Sequence, residues 1–152
     1  MDSHSMKIAD TFIRLKQVVM TSSGTCLFLG NDQKTFIIYV DPVMGEQIRF
    51  ASSKQAPSRP LTFDFMRYLL FGLDVSVRHI VLYRAEKETF FAKILCQQTC
   101  GSVTHITELD VRPSDAVLLS LATSKPIAID GGLFQSLSDA GDLLENFLKM
   151  KE

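Results

Sequence analysis

Two stretches of this sequence have the pattern of a β-hairpin, and they limit the chain to folds that contain antiparallel strands. Segment 25–40, TCLFLGNDQKTFIIYV, places a Gly-Asn-Asp turn between two apolar runs. Segment 77–98, VRHIVLYRAEKETFFAKILCQQ, turns at residues 85–88. β-branched and aromatic residues favour strands, whereas Gly, Asn and Asp favour the connecting turns. We therefore predict one hairpin in each half of the chain.

Further strands and helices follow from the same kind of pattern. Residues 11–20, 103–112 and 126–130 have the composition of strands. Helices are predicted at 42–53, 59–74, 113–124 and 136–152, the first three with a proline in the first turn. Segments 59–74 and 113–124 are apolar on nearly every side, so we expect each helix to be covered on more than one side.

These elements predict an α+β fold of duplicated strand–helix units, with buried helices packed against mixed or antiparallel sheets in a single domain. The predicted repeat matches Arg59-Pro60 with Arg112-Pro113, because strands precede each pair and an apolar helix follows it. A chain of 152 residues is long enough for one core. We expect a domain at 7–135 and a helical tail at 136–152, which begins with a capping arrangement of Ser136 and Asp139.

Composition excludes several classes of protein. Lys and Arg number 16 against 17 acidic residues, so any nucleic-acid surface has to be a local patch on a chain with a net charge of −1. No apolar run approaches the ~20 residues of a membrane span, and the first ten residues lack the apolar core of a secretory signal. Three cysteines are too few for a disulfide framework. We expect a cytoplasmic protein without membrane partners.

Charged residues lie close to apolar sequence at DVRPSDAVLL, residues 110–119. On a strand alternate residues share a face, so Glu108, Asp110 and Arg112 point one way, and Asp115 falls in the first turn of the following helix. One interpretation is structural: an acid near a helix N-terminus stabilises the helix dipole, and Arg112 pairs with a neighbouring acid. The other is a phosphate-handling site.

The site interpretation assigns a role to each polar residue. Carboxylates Glu108, Asp110 and Asp115 can hold one or two Mg²⁺ or Mn²⁺ ions, which activate water in phosphodiester cleavage. Arg112 and the helix N-terminus can bind phosphate. The earlier segment SRPLTFD adds Asp64 to the acidic residues. The predicted catalytic residues are Asp64, Asp110 and Asp115, and the predicted substrate contacts are Arg59, Thr62, Arg112 and Ser114.

The segments RPLTFDF and ELDVRPSDAVLLSLATSKPIAI, with FFAKI between them, resemble the bifunctional nuclease (BFN) domain family of bacteria and plants. The resemblance covers roughly residues 7–135. It implies an α+β fold, frequent dimerisation, and cleavage of RNA and DNA with little sequence preference. RNA or DNA is therefore the expected partner, bound weakly because the chain has no basic excess.

The sequence departs from the family pattern at two positions. Phe63 stands where members usually have His, and Met44 stands where they usually have Glu. The His position could supply a general acid or a metal ligand, and Phe63 can act as neither. The alternative function is therefore a weakened or inactive member that serves as a binding or regulatory module.

A zinc site on Cys96, Cys100 and His105 is the weakest hypothesis, because C-x3-C-x4-H is a poor ligand spacing. We expect structural cysteines. The histidines His4, His79 and His105 are too scattered to predict a site, and His79 is expected to be a packed or edge residue.

Overall fold

The computed structural model describes residues 9–151, which form one seven-stranded sheet with helices on both faces, and the predicted α+β class is confirmed. The strands are β1 (Thr11–Thr21), β2 (Gly24–Gly30), β3 (Thr35–Val40), β4 (Val75–Glu86), β5 (Thr89–Cys100), β6 (Val103–Val111) and β7 (Ile127–Ile129). The helices are α1 (Pro42–Ser52), α2 (Thr62–Gly72), α3 (Pro113–Thr123), α4 (Gly131–Ser136) and α5 (Gly141–Lys149). The predicted domain start at residue 7 lies outside the described residues.

The strand order is β3-β2-β1-β7-β4-β5-β6, and both predicted hairpins, β2–β3 and β4–β5, are confirmed. Neighbouring strands are antiparallel except for the parallel pair of β4 and β7. The sheet curls strongly. The ring of Phe36 on β3 lies 5.8 Å from that of Phe90 on β5, although four strands lie between β3 and β5 in the sheet. The curl brings the end of β3 close to the start of α3.

The repeat is real, but its units differ from the predicted ones. Three antiparallel strands and a helix with proline at its first position occur twice, as β1–β2–β3–α1 and β4–β5–β6–α3. The counterpart of Arg112-Pro113 is therefore Asp41-Pro42, and the match to Arg59-Pro60 was wrong. Helix α2 lies between the two units and belongs to neither. The helices α1 and α3 pack against each other.

Helix α3 is buried as expected, with Ala116, Val117, Leu118 and Leu119 in the main core. Helix α1 approaches the sheet closely at Gly45. An added Cβ there would collide with the fully buried Thr25 of β2. Contact at this distance requires glycine, so Gly45 is what allows α1 to lie this close to the sheet.

Helix α2 is not covered in the expected way. It begins at Thr62 rather than at residue 59, and Pro60 precedes it. Only Phe63 is buried, whereas Phe65, Tyr68 and Leu69 are exposed. The prediction that this helix is covered on more than one side was wrong for the single chain. Helix α2 packs mainly against α3 and β4, and its remaining sides are exposed.

The predicted helix 136–152 is shorter than expected and spans only Gly141–Lys149. Helix α5 begins at Gly141, and Ser136 is the last residue of α4, so the predicted helix start with a capping arrangement of Ser136 and Asp139 was wrong. Asp130 caps the separate helix α4 by accepting a hydrogen bond from the Leu133 N–H. Asp139 accepts hydrogen bonds from the backbone N–H groups of Thr35 and Gly141, both at 3.0 Å, and these bonds lower its pKa. Helix α5 covers the other sheet face, where Phe147 packs against Phe28.

Candidate functional site

The β6–α3 junction has the geometry that strand periodicity predicts. Asp110 pairs in register with Lys93 of β5, and Glu108 pairs with Leu95. The intervening Leu109 pairs with Ile94, which is buried under the helices. Directly opposed residues of an antiparallel pair share a face. Glu108 and Asp110 therefore lie on the sheet face away from α3.

Arg112 pairs with Asp115 in a two-point contact. Its Nε donates to Oδ2 at 2.8 Å, and its Nη2 donates to Oδ1 at 3.1 Å. The hydrogen bond and charge of Asp115 raise the pKa of Arg112, and Asp41 adds a smaller electrostatic contribution. Arg112 thus pairs with a neighbouring acid, as the structural interpretation predicts. The same two bonds hold its guanidinium near Asp41.

Asp110 has a different environment. The Tyr83 hydroxyl donates to its Oδ1 at 3.4 Å. Within residues 9–151, no Lys or Arg lies within salt-bridge distance of Asp110, whereas Glu108 pairs with Lys93 at 3.3 Å. Of the three carboxylates at this junction, Glu108, Asp110 and Asp115, Asp110 is therefore the one without a basic partner.

A cavity of about 450 Å³, here called the junction cavity, opens where β3, the β4–β5 turn and the β6–α3 junction meet. Its wall combines aliphatic side chains and aromatic rings with the polar residues Asp41, Glu88, Thr89, Asp110, Arg112 and Ser114. Helix α3 starts here without a side-chain cap on its first N–H groups. Uncapped N–H groups at a helix start favour an anion. The junction cavity is therefore lined by carboxylates and also by a helix start that favours negative charge.

Arg59 and Asp64 lie elsewhere. They line a second cavity of about 650 Å³, here called the basic pocket, together with Lys54, Arg67 and Ser124. The two cavities lie at opposite ends of α3, which is roughly 16 Å long at 1.5 Å per residue. Asp64 accepts a hydrogen bond from the Leu61 N–H at 2.9 Å. Asp64 therefore does not join the other acids, and the two motifs form two separate surfaces.

Thr62 is the first residue of α2 and is exposed, outside the lining of the basic pocket. Asp110, Arg112 and Ser114 therefore line one cavity, and Asp115 contacts it through its hydrogen bonds to Arg112. The residues of the earlier motif, Arg59, Thr62 and Asp64, lie apart from this cavity.

The expected metal ligands do not form a preassembled cage. Among the residues that the structure describes, no group of three or more His, Cys, Asp or Glu side chains is placed to hold a metal ion. Glu108, Asp110 and Asp115 instead contact Lys93, Tyr83 and Arg112 respectively. Magnesium commonly uses only one or two protein carboxylates and takes its other ligands from water and substrate phosphates.

Comparison with known families decides the relationship. The bifunctional nuclease domain model matches residues 27–139, which is most of the chain. The chain belongs to the bifunctional nuclease domain family. Two relatives, described as uncharacterized proteins of two Mycobacterium tuberculosis strains, are each 28% identical over 88 residues. The match covers 58% of this chain and 48% of each relative, so the chain spans about half their length.

Both departures from the BFN pattern lie in the interior. Met44 and Phe63 are buried members of the main core, although Phe63 also forms part of the basic pocket wall. An apolar group thus occupies each position at which the resemblance places His or Glu. The ionisable side chains at the junction cavity therefore come from other positions of the sequence.

The sequence interpretation missed polar residues on that sheet face. His79 Nε2 lies 3.2 Å from Asp10 Oδ2, and these residues line a depression of about 260 Å³ with Tyr83, Lys93 and Glu108. His79 was expected to be a packed or edge residue. The alternation of His79, Val81 and Tyr83 could have identified this face, but only the register of β4, β5 and β6 shows that the face continues to Asp110.

The three cysteines are free, and the zinc hypothesis finds no support among the described residues. Cys96 is buried, and burial raises its pKa, whereas Cys100 is exposed. Four residues of extended strand place them roughly 13 Å apart. Burial also raises the pKa of Cys26. His4 lies outside the described residues.

None of the helices between residues 9 and 151 has the length and apolar character needed to cross a bilayer.

Proposed function

We propose that this BFN domain is a nuclease of low sequence specificity that hydrolyses phosphodiester bonds of RNA and DNA at the junction cavity. The observation that carries the proposal is Asp110. It is a carboxylate without a basic partner, in a cavity that also holds Arg112 and the uncapped start of α3. Membership of a nuclease domain family supports the same chemistry.

Arg112 and the first N–H groups of α3 bind the scissile phosphate, with the hydroxyl of Ser114 as a further donor. A guanidinium matches two phosphate oxygens at once, and a helix N-terminus adds favourable electrostatics. Asp115 acts as a positioning residue, because its two bonds to Arg112 fix the plane of the guanidinium. Asp110 accepts the proton of the attacking water, which is general base catalysis. As the new P–O bond forms, the P–O bond to the leaving nucleotide breaks, and its oxygen takes a proton from solvent water.

Mg²⁺ or Mn²⁺ is proposed as the cofactor. Asp110 and Glu108 are the first candidates for its ligands, with water and substrate phosphate completing the shell. When bound, such an ion neutralises the charge that develops on the phosphate.

Arg59, Thr62 and Asp64 are proposed to contact nucleic acid away from the cleaved bond, around the basic pocket. Lys54, Arg59 and Arg67 give this pocket three cationic side chains. The net charge of −1 limits the attraction to such local patches, so binding is expected to be weak and to decrease with salt. The three free cysteines support a reducing compartment such as the cytoplasm.

The test is cleavage of single-stranded RNA and plasmid DNA by purified protein with Mg²⁺, Mn²⁺ or EDTA. Asp110→Asn should lower kcat/KM by about 100-fold or more, the usual contribution of a positioned general base. The matched control is Asp32→Asn, which alters an exposed ion pair with Arg14 on the β2–β3 turn. Parent-level cleavage by Asp110→Asn would show that the site is elsewhere.

The second candidate is a binding or regulatory module without catalysis. The buried apolar side chains of Phe63 and Met44 favour it, because they replace ionisable groups of the family pattern. This function predicts no turnover with any divalent ion, while fluorescence anisotropy still detects binding of single-stranded RNA. Metal-dependent cleavage that co-purifies with the folded protein, and is lost in Asp110→Asn, would exclude it. A homodimer is proposed for either function.

A further inference from the structure

The outer side of helix α2 carries an apolar stripe that the single chain leaves uncovered. Leu61, Phe65, Tyr68 and Leu69 recur at helical spacing on the side opposite Phe63, which points to the core. Phe65, Tyr68 and Leu69 expose 60%, 52% and 48% of their surfaces. Met66 and Leu73 flank them and are also exposed. We call these six residues the α2 face.

The α2 face provides most of the area of one side of a protein interface. Large apolar and aromatic side chains each present roughly 150–250 Å² when fully exposed, so the α2 face offers on the order of 600 Å². A standard stable interface buries roughly 800 Å² per partner. The face is therefore at the upper limit of the apolar patches found on monomers, roughly 300–600 Å².

We infer that the α2 face is the surface through which two copies of this chain form the proposed homodimer, with α2 packed against α2 across a two-fold axis. A two-fold interface needs a patch that is complementary to itself. An uncharged apolar stripe meets that condition, because no like charges oppose each other across the axis. The charges beside it are one acid and one base, Asp64 and Arg67.

The other open surface, the outer edge of β6, fits a second copy less well. Residues Val103 to Asp110 are exposed on both sheet faces, so this edge is also uncovered in the described chain. However, Glu108 and Asp110 project from one side of it, and pairing of two β6 strands would place these charges in the contact. Charged residues on an edge strand are a common means of preventing such pairing.

Sedimentation velocity of the parent chain from about 1 to 100 µM tests this inference, which rests on the homodimer of the proposed function but not on its catalysis. The parent should dimerise, and Phe65→Glu with Leu69→Glu should weaken association by ~100-fold or more, because four acids would meet in an apolar contact. The control, Val43→Glu with Met150→Glu, changes two side chains that are exposed outside the α2 face, and it should dimerise like the parent.

Hydrogen exchange provides a measurement that needs no variant. Amide protection of residues 62–73 should rise with protein concentration, while that of β6 stays constant. A parent chain that remains monomeric to 100 µM, or a glutamate variant that still dimerises like the parent, would overturn the inference. Nuclease activity is measured on the same samples. An inactive dimer would contradict the proposed catalysis but not the interface, whereas an active monomer would contradict the interface but not the catalysis.

Discussion

At the scale of single residues, the Arg112–Asp115 pair shows how a structural contact and a functional one can coincide. The pair spans the first turn of α3 at three residues' spacing. Asp110 and Asp115 are both close to Arg112 in the chain, and only the structure shows that Asp115 is its partner. Pairing with Asp115 leaves Asp110 without a basic neighbour, and that consequence determines where the proposed base lies.

Asp115→Ala is expected to raise KM for RNA by roughly 3–10-fold with a smaller change in kcat, because it frees the phosphate-binding guanidinium to adopt other rotamers. Steady-state kinetics measure the split. Glu46→Ala is the matched control, since Glu46 pairs with Arg49 at the same spacing in α1. Equal effects of the two substitutions would show that Asp115 has no positioning role.

Asp139 gives a pH-dependent link between the C-terminal segment and β3. Two backbone hydrogen bonds lower its pKa in the folded chain, whereas an unfolded Asp titrates near 3.9. Its contribution to stability is therefore complete above about pH 4 and is lost as the pH falls through the lower folded pKa.

Thermal melts should accordingly show Asp139→Asn less stable than the parent at pH 6, with the difference shrinking below about pH 4. Glu145→Gln, an exposed acid of α5, serves as the control and should differ little from the parent at either pH. A stability difference that stays constant from pH 6 to pH 3 would contradict the assignment.

At the scale of elements, the chain follows its local pattern wherever periodicity and turn chemistry agree. The first hairpin was predicted within one residue and the second within two. Helices α1 and α3 were predicted within one residue, because a proline at the first position marks each helix start. Pro60 was misleading, since it lies two residues before α2. The division between α4 and α5 could not be predicted, because it depends on contacts with β3 that are about a hundred residues away in sequence.

Lys34 makes three hydrogen bonds to residues about a hundred positions away in the sequence. Its Nζ donates to the carbonyl oxygens of Phe134, Gln135 and Leu137 at 2.7, 3.2 and 2.9 Å. These groups lie at the end of α4, where carbonyl oxygens lack partners within the helix. A charged donor on a helix C-terminus also interacts favourably with its dipole.

Lys34→Met should therefore lower the free energy of unfolding by about 1–3 kcal/mol, the range for loss of charge-assisted hydrogen bonds. Urea denaturation measures the change. Lys125→Met, at an exposed lysine beyond the end of α3, should change stability by less than about 0.5 kcal/mol. A loss at Lys125 equal to that at Lys34 would argue against the bridge to α4.

At the scale of the whole molecule, the candidate site is harder to predict than the fold. Local sequence placed Asp110, Arg112 and Ser114 together because they are close in the chain. The contributions of Asp41 and Glu88 to the same cavity arise from the curl of the sheet and the β4–β5 turn. Asp64 was misplaced because the two motifs were treated as equivalent ends of a repeat, whereas the repeat aligns Asp41-Pro42 with Arg112-Pro113.

A dimer held by the α2 face makes thermal stability depend on concentration. A 100-fold dilution of the parent should lower Tm by roughly 4 °C, given the unfolding entropy of two such chains. Differential scanning fluorimetry at two concentrations measures this shift. The Phe65→Glu, Leu69→Glu variant should show almost none. A parent Tm that is independent of concentration would contradict the dimer.

The distribution of thiols allows a direct view of assembly in solution. Cys26 and Cys96 are buried, and only Cys100 among the three cysteines is exposed, at the end of β5 next to β6. A maleimide spin label should therefore attach at a single position without any substitution in the chain. Two labels in one dimer would report one inter-label distance, and pulsed dipolar spectroscopy could then distinguish contact through α2 from contact along β6 in the natural sequence.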